Sequence, residues 1–195
     1  MKALLICNPQ VDIVDNCYNG KEVISNINKI KANFVTIIVS QLSFTNDHCS
    51  FSDSYKGKKE GESLVKEGHL QLLGPKHCVK GTPGAAFHPD FDQSGTKCIV
   101  NAGSAVLLDS RSAFFERFRQ KSTGLSDFLY ANNITSLYIC GFPWRDHVKM
   151  TARDSIGMKL TTFLIQEGIG SHELIDFFDL DQLNSIGVKV VSWNL

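Results

Sequence analysis

The chain has 195 residues, 43% of them hydrophobic and 21% charged, which is the size and balance of one soluble domain over residues 1–195 with a core of its own. Its 20 Lys plus Arg equal its 20 Asp plus Glu, so there is no basic surplus for a nucleic acid or an anionic membrane surface, and neither is predicted as a partner. The six cysteines, Cys7, Cys17, Cys49, Cys78, Cys98 and Cys140, form no C-x-x-C pair, which argues against a zinc ribbon or thioredoxin motif and predicts reduced thiols in a cytoplasmic protein.

Short apolar runs alternate with stretches of helical spacing. The first run, Ala3–Cys7, is too short for a signal sequence and is interrupted by Asn8-Pro9. Val23, Ile27 and Ile30 then follow at i, i+4, i+7, predicting a helix over Lys21–Lys31. Phe34–Val39 is the second predicted strand. Thr45–Pro89 is polar and glycine-containing and reads as long loops with a short helix over Lys59–Lys66. In it, Gly81-Thr-Pro-Gly84 lacks the Lys-Ser/Thr of a phosphate loop and predicts a tight turn. Lys56-Gly-Lys-Lys59 predicts a solvated loop. Cys98–Val100 is the third strand. Phe114, Phe115, Phe118, Leu125, Phe128 and Leu129 predict the inward face of a helical stretch broken near Gly124. Leu137–Cys140, Thr161–Ile165 and Val188–Val191 are further strands, with helices over Val148–Lys159 and Glu173–Asn184. No run reaches the ~20 apolar residues of a membrane span.

Strands alternating with helices predict an α/β three-layer sandwich, a mainly parallel central sheet with helices on both faces. Ligands in such folds bind beyond the carboxyl ends of the strands. The segments after Cys7, Val39, Val100 and Cys140 should therefore meet in one crevice.

Those segments carry recognisable blocks. Ala3-Leu-Leu-Ile-Cys-Asn-Pro-Gln-Val-Asp12 is similar to a strand ending in D-x-Q-N-D-F. Ser40–Phe51 is similar to S-x-D-W-H-P-x-N-H-x-S-F, and Gly74–Pro89 closely matches W-P-x-H-C-V-x-G-T-x-G-A-x-F-H-P. Asp109–Phe115 is similar to D-S-Y-S-A-F-F. Gly141–Val148, followed by Thr151–Ser155, is similar to G-L-A-T-D-Y-C-V and T-A-x-D-A. In this order the blocks resemble the nicotinamidase (pyrazinamidase) branch of the isochorismatase-like hydrolases. The resemblance implies strand order 3-2-1-4-5, with a sixth strand as an extension.

It also implies a chemistry that the residues do not supply. In the family a cysteine attacks the amide carbonyl, an aspartate takes its proton and a lysine supports the charge. Those positions fall here on His147, Asn8 and Ala102, with Asn101 as the one-residue alternative for the last. The metal-ligand positions fall on Leu42, Phe44 and His77, with His48 nearby, and two apolar side chains cannot ligate a cation. No resident cofactor is predicted, a weak zinc site at His77 and His48 being the alternative. The oxyanion-hole positions fall on Pro143, which has no N–H, and His147. A cis bond is implied at Phe142-Pro143. The aromatic substrate clamp is replaced by Ile13, Gly74 and Arg111, and Trp144 and Arg145 are further non-family residues by the pocket. These substitutions predict a pseudoenzyme acting by binding a small aromatic ligand or a protein, the protein being itself or an active nicotinamidase relative in an oligomer. The alternatives are an active cysteine-independent hydrolase with new chemistry at His147, Asn8 and His77, or residual nicotinamidase activity.

Overall fold

The computed structural model describes residues 1–193 apart from 67, 117, 118, 174 and 176. In chain order the elements are β1 Lys2–Cys7, α1 Val11–Val14, α2 Gly20–Lys31, β2 Ile37–Leu42, β3 Ser63–Lys66, β4 His69–Leu72, β5 Thr96–Ala102, β6 Phe115–Glu116, β7 Lys121–Ser122, α3 Leu125–Ala131, β8 Ser136–Gly141, α4 Lys149–Gly157, β9 Thr161–Ile169, α5 Phe177–Ser185 and β10 Lys189–Val191. Six of the strands form one parallel sheet in the order β10-β9-β8-β1-β2-β5. Numbered among these six alone, that is 3-2-1-4-5-6, the predicted order with its sixth strand.

The apolar alternation of β1 divides the core. Leu4 and Ile6 face one side, where they pack with Val23, Ile24, Ile27 and Ile30 of α2. Ala3, Leu5 and Cys7 face the other, with Leu125 and Leu129 of α3 and Ala152 of α4. Both faces of β1 are buried, which is why its sequence is a continuous apolar run rather than an alternating one. Each of these fully buried Leu or Ile side chains stabilises the fold by roughly 1.5–3 kcal/mol relative to exposure.

Four expectations are corrected. Lys59–Lys66 is not a helix: Ser63–Lys66 pairs antiparallel with His69–Leu72. The short connection contains Gly68 at φ +78°, a conformation that favours glycine and turns the chain back on itself. Among the described residues the stretch after Phe114 is not helical before α3. Phe115–Glu116 and Lys121–Ser122 form a small antiparallel ribbon, and Phe118 lies outside the described residues. Buried Glu116 explains the ribbon. Its carboxylate accepts hydrogen bonds from the N–H and Oγ of Ser104 and the N–H of Ala105, and pairs with Lys121, so the segment is tied to the loop after β5. The second strand runs Ile37–Leu42, later than predicted, because Ala32–Phe34 completes the turn after α2. Finally, the Phe142–Pro143 bond is trans, and in that form the Pro143 carbonyl accepts the N–H groups of His147 and Val148.

No helix among the described residues is long and apolar enough to cross a membrane. All six cysteines are free thiols.

Candidate functional site

The register brings the carboxyl ends of four strands together. Cys7 lies opposite Ser40 on one side and Gly141 on the other, and Leu42 lies opposite Ala102. The residues that follow build the crevice floor: Asn8 after β1, Phe44 after β2, Gly103 after β5 and Phe142-Pro143 after β8.

Asn8 is fully buried and its backbone stands at φ +43°. Its Nδ2 donates to the Phe142 carbonyl at 3.1 Å, and its Oδ1 accepts the Ser40 hydroxyl at 2.8 Å. Both ends of the amide are engaged, so Asn8 braces β1 against β2 and the turn after β8. An amide accepts no proton near neutral pH, and this one presents no spare polar atom on a path to a substrate.

His147 sits in a five-residue π-turn, Trp144–Val148. The Pro143 carbonyl accepts the N–H of Val148 at 3.1 Å and that of His147 at 3.2 Å. Such widened turns re-aim a side chain within a helical segment. The His147 ring is 2% exposed, and neither ring nitrogen has a hydrogen-bond partner among the described residues. Burial holds its pKa down to about 3, with the Asp109 carboxylate pulling weakly the other way, so the imidazole is neutral at physiological pH. The backbone offers no more. Pro143 has no N–H and the His147 N–H is bonded within the turn, so the two oxyanion positions hold no unengaged donor. Cys7 does not substitute as a nucleophile, because burial pushes its thiol up to about 12 despite hydrogen bonds with Thr151 and Ser40, and a nucleophilic cysteine needs its thiolate.

Ala102 is fully buried at the end of β5, whereas neighbouring Asn101 is exposed. The inward position therefore belongs to Ala102, and it carries no charge. Leu42 and Phe44 are buried. The Phe44 ring lies 4.4 Å from that of His48 and 5.0 Å from that of His77, centroid to centroid. A Cβ on Gly103 would come within 2.3 Å of the Phe44 Cε1. The ring therefore fills the volume between the two histidines.

This arrangement does not suit a metal. His48 Nε2 lies 3.0 Å from the Leu108 carbonyl; since a carbonyl only accepts, Nε2 carries the proton. His48 Nδ1 is then the acceptor for the Ser50 hydroxyl at 2.8 Å and the Ser50 N–H at 3.3 Å, and no ring lone pair is left for a cation. His77 Nδ1 donates to the Pro75 carbonyl at 3.1 Å. Among the described residues no group of three His, Cys, Asp or Glu is placed to hold a metal ion.

The remaining predicted pocket residues do not gather in one place, although Arg111 and Arg145 line a common cavity. Ile13 and Trp144 are buried in the core, and the Trp144 Nε1 has no hydrogen-bond partner among the described residues. Gly74 bridges Phe51 in a short parallel contact. Arg111 and Arg145 remain about half exposed and make ion pairs with Asp109 and Glu173. Residues not among the predicted site positions do much of the bracing. Gln10 donates to the carbonyls of Leu42 and Ala85 and accepts the Leu42 N–H, while Asp12 accepts the Cys78 N–H at 2.7 Å. Their polarity beside the first strand was the available signal.

The comparisons with known proteins agree with this architecture. The isochorismatase domain family matches residues 2–194. The chain is 33% identical over 144 residues to a nicotinamidase of Acinetobacter baylyi, covering 74% of this chain and 67% of that protein. It is 30% identical over 132 residues to a nicotinamidase of Escherichia coli, covering 68% and 62%. The matched stretches thus span about two thirds of these curated relatives or slightly less. A solved nicotinamidase structure from Acinetobacter baumanii superposes with a TM-score of 0.90 at 26% identity, over 98% of this chain and 95% of that one. A yeast nicotinamidase bound to the inhibitor nicotinaldehyde shares the fold with a TM-score of 0.90 at 22% identity, over 99% and 100%. The chain belongs to the isochorismatase family, in its nicotinamidase branch.

Proposed function

We propose that this chain is a non-catalytic member of the nicotinamidase branch that acts by binding. The observation that carries the reading is the Phe44 ring, seated between His48 and His77 and against Gly103, where the family chemistry requires a metal and a substrate. The engaged amide of Asn8, the uncharged Ala102 and the isolated ring of His147 support the same conclusion. Losing one oxyanion donor alone typically costs about 3–4 kcal/mol of transition-state stabilisation, and here the nucleophile, base and lysine are replaced as well.

New chemistry at His147, Asn8 and His77 is disfavoured because no hydrogen bond joins these side chains among the described residues. Association with a second copy or an active nicotinamidase relative is supported by the β3–β4 ribbon, where Val65, Leu70 and Leu72 are exposed. Val65 and Leu70 are direct cross-strand partners, so these aliphatic groups share one face.

An ammonia-release assay with nicotinamide, with and without zinc, iron or manganese, tests the reading. It predicts no release above the protein-free blank, and metal-dependent release would overturn it. Mixed crosslinking with an active relative tests the association, and strict self-association would remove the relative as partner.

A further inference from the structure

A cavity of about 580 Å³ lies between the β3–β4 ribbon, the segments that follow β5 and β8, and α4. None of Asn8, Ala102 and His147, nor of the former metal positions, lines it. It therefore lies beside the filled crevice and shares its rim: Arg111, at a substrate-clamp position of the family, and Asp109 and Arg145 border both regions.

Its lining is amphipathic. Leu70, Phe115 and Met150 supply apolar wall, and Leu70 is 73% exposed and so open to a ligand. The polar groups are unequal. Arg119 spends Nε and Nη2 on Asp154, at 3.1 and 2.9 Å. Arg145 meets Glu173 at 3.3 Å and Asp179 at 3.9 Å. Among the described residues Arg111 donates only its Nε, to Asp109 at 3.0 Å. Its Nη1 stands 3.9 Å from Asp146, beyond hydrogen-bond distance. The terminal fork of Arg111 thus keeps the two parallel donors that recognise a carboxylate, and Ser112 on the same lining adds a hydroxyl.

We infer that this cavity binds a small amphipathic carboxylate, its apolar body against Leu70, Phe115 and Met150 and its carboxylate on the Arg111 fork. The volume falls in the usual range for small-molecule sites, about 300–1,000 Å³. The inference deepens the reading that the chain acts by binding and rests on it.

Isothermal titration of the full chain with 2-naphthoate and its neutral analogue 2-naphthamide tests the site. The expected result is saturable binding of one naphthoate per chain, with naphthamide at least about tenfold weaker, equivalent to ~1.4 kcal/mol. Arg111→Met keeps an unbranched apolar stem, removes the guanidinium and should weaken naphthoate by a similar factor. Leu70→Ser should weaken both probes without moving the urea midpoint, and Arg153→Gln, outside the cavity lining, should change neither. Absence of saturable binding up to millimolar probe, equal affinity for the two probes, or an Arg111→Met isotherm like the wild type would each overturn the inference. Nicotinamide turnover would overturn the non-catalytic reading and leave a naphthoate isotherm standing. Loss of the isotherm without turnover would remove only this site.

Discussion

The Phe44 ring occupies the space into which a side chain at Gly103 would project, its Cε1 2.3 Å from the Cβ position. Gly103 also stands at φ +77°, where L side chains are strained. Phe44 cannot retreat, because its ring is hemmed by His48, Phe51 and His77. Gly103→Ala should therefore destabilise the fold by about 2–4 kcal/mol, combining overpacking and backbone strain. Phe44→Ala should cost about 3–5 kcal/mol through the cavity it leaves. Urea unfolding at neutral pH reads both, and an unchanged midpoint in either variant would contradict the packing described.

His147 gives a pH signature. Its native pKa of about 3 lies below the ordinary imidazole value of 6.5, so the unfolded chain takes up a proton that the native chain refuses as pH falls. Its contribution is fully present above 6.5 and is lost progressively toward 3, on the order of 5 kcal/mol across the whole window. Between pH 7.5 and 4.5 the wild type should lose about 2–3 kcal/mol more than His147→Leu. Parallel loss in the two proteins would show that the ring is not buried in its neutral form.

Asn8 tests whether the site can be rebuilt by residue identity. Asn8→Asp replaces the Nδ2–H that the Phe142 carbonyl accepts with a carboxylate oxygen in a buried position. That leaves two acceptors facing each other and should cost about 2–4 kcal/mol in urea unfolding. His147→Cys alone should release no ammonia from nicotinamide, since Ala102, Pro143 and the Phe44 plug remain. Asn8→Asp with wild-type stability, or turnover by His147→Cys, would contradict the account.

The sheet was legible because parallel strands buried on both faces leave short, wholly apolar runs, and the alternation of those runs with helical spacing told them from buried helix. Ala3–Cys7 and Leu137–Cys140 are apolar at every position, and their helices carry the complementary stripe. The β3–β4 ribbon was not legible: Leu64 and Val65 are adjacent in sequence but lie on opposite faces of a strand whose burial alternates only weakly. The ribbon at Phe115–Glu116 was hidden because its anchor is a carboxylate, Glu116, which looks like a solvent residue until Ser104, Ala105 and Lys121 are seen around it. At the site, sequence showed which groups are missing. It did not show that Phe44 fills the vacated volume, that Trp144 is core, or that the ligand-sized space lies beside Arg111, because those facts depend on where side chains from distant segments meet.

The donor set predicts indifference to metal. His48 uses both ring nitrogens within the protein, so EDTA should leave the urea midpoint unchanged, and zinc titration should show no stoichiometric tight site. His48→Ala should destabilise by about 1–3 kcal/mol through the hydrogen bonds it abandons while leaving the zinc response as it was. A chelator-sensitive midpoint that His48→Ala abolishes would contradict this assignment.

Whether the fold persists without its amide chemistry is decided by proton NMR of nicotinamide incubated with a stoichiometric amount of the chain, alone and with zinc, iron or manganese. The nicotinamide resonances should remain and no nicotinate should appear. Nicotinate formation that His147→Ala abolishes would contradict the non-catalytic reading.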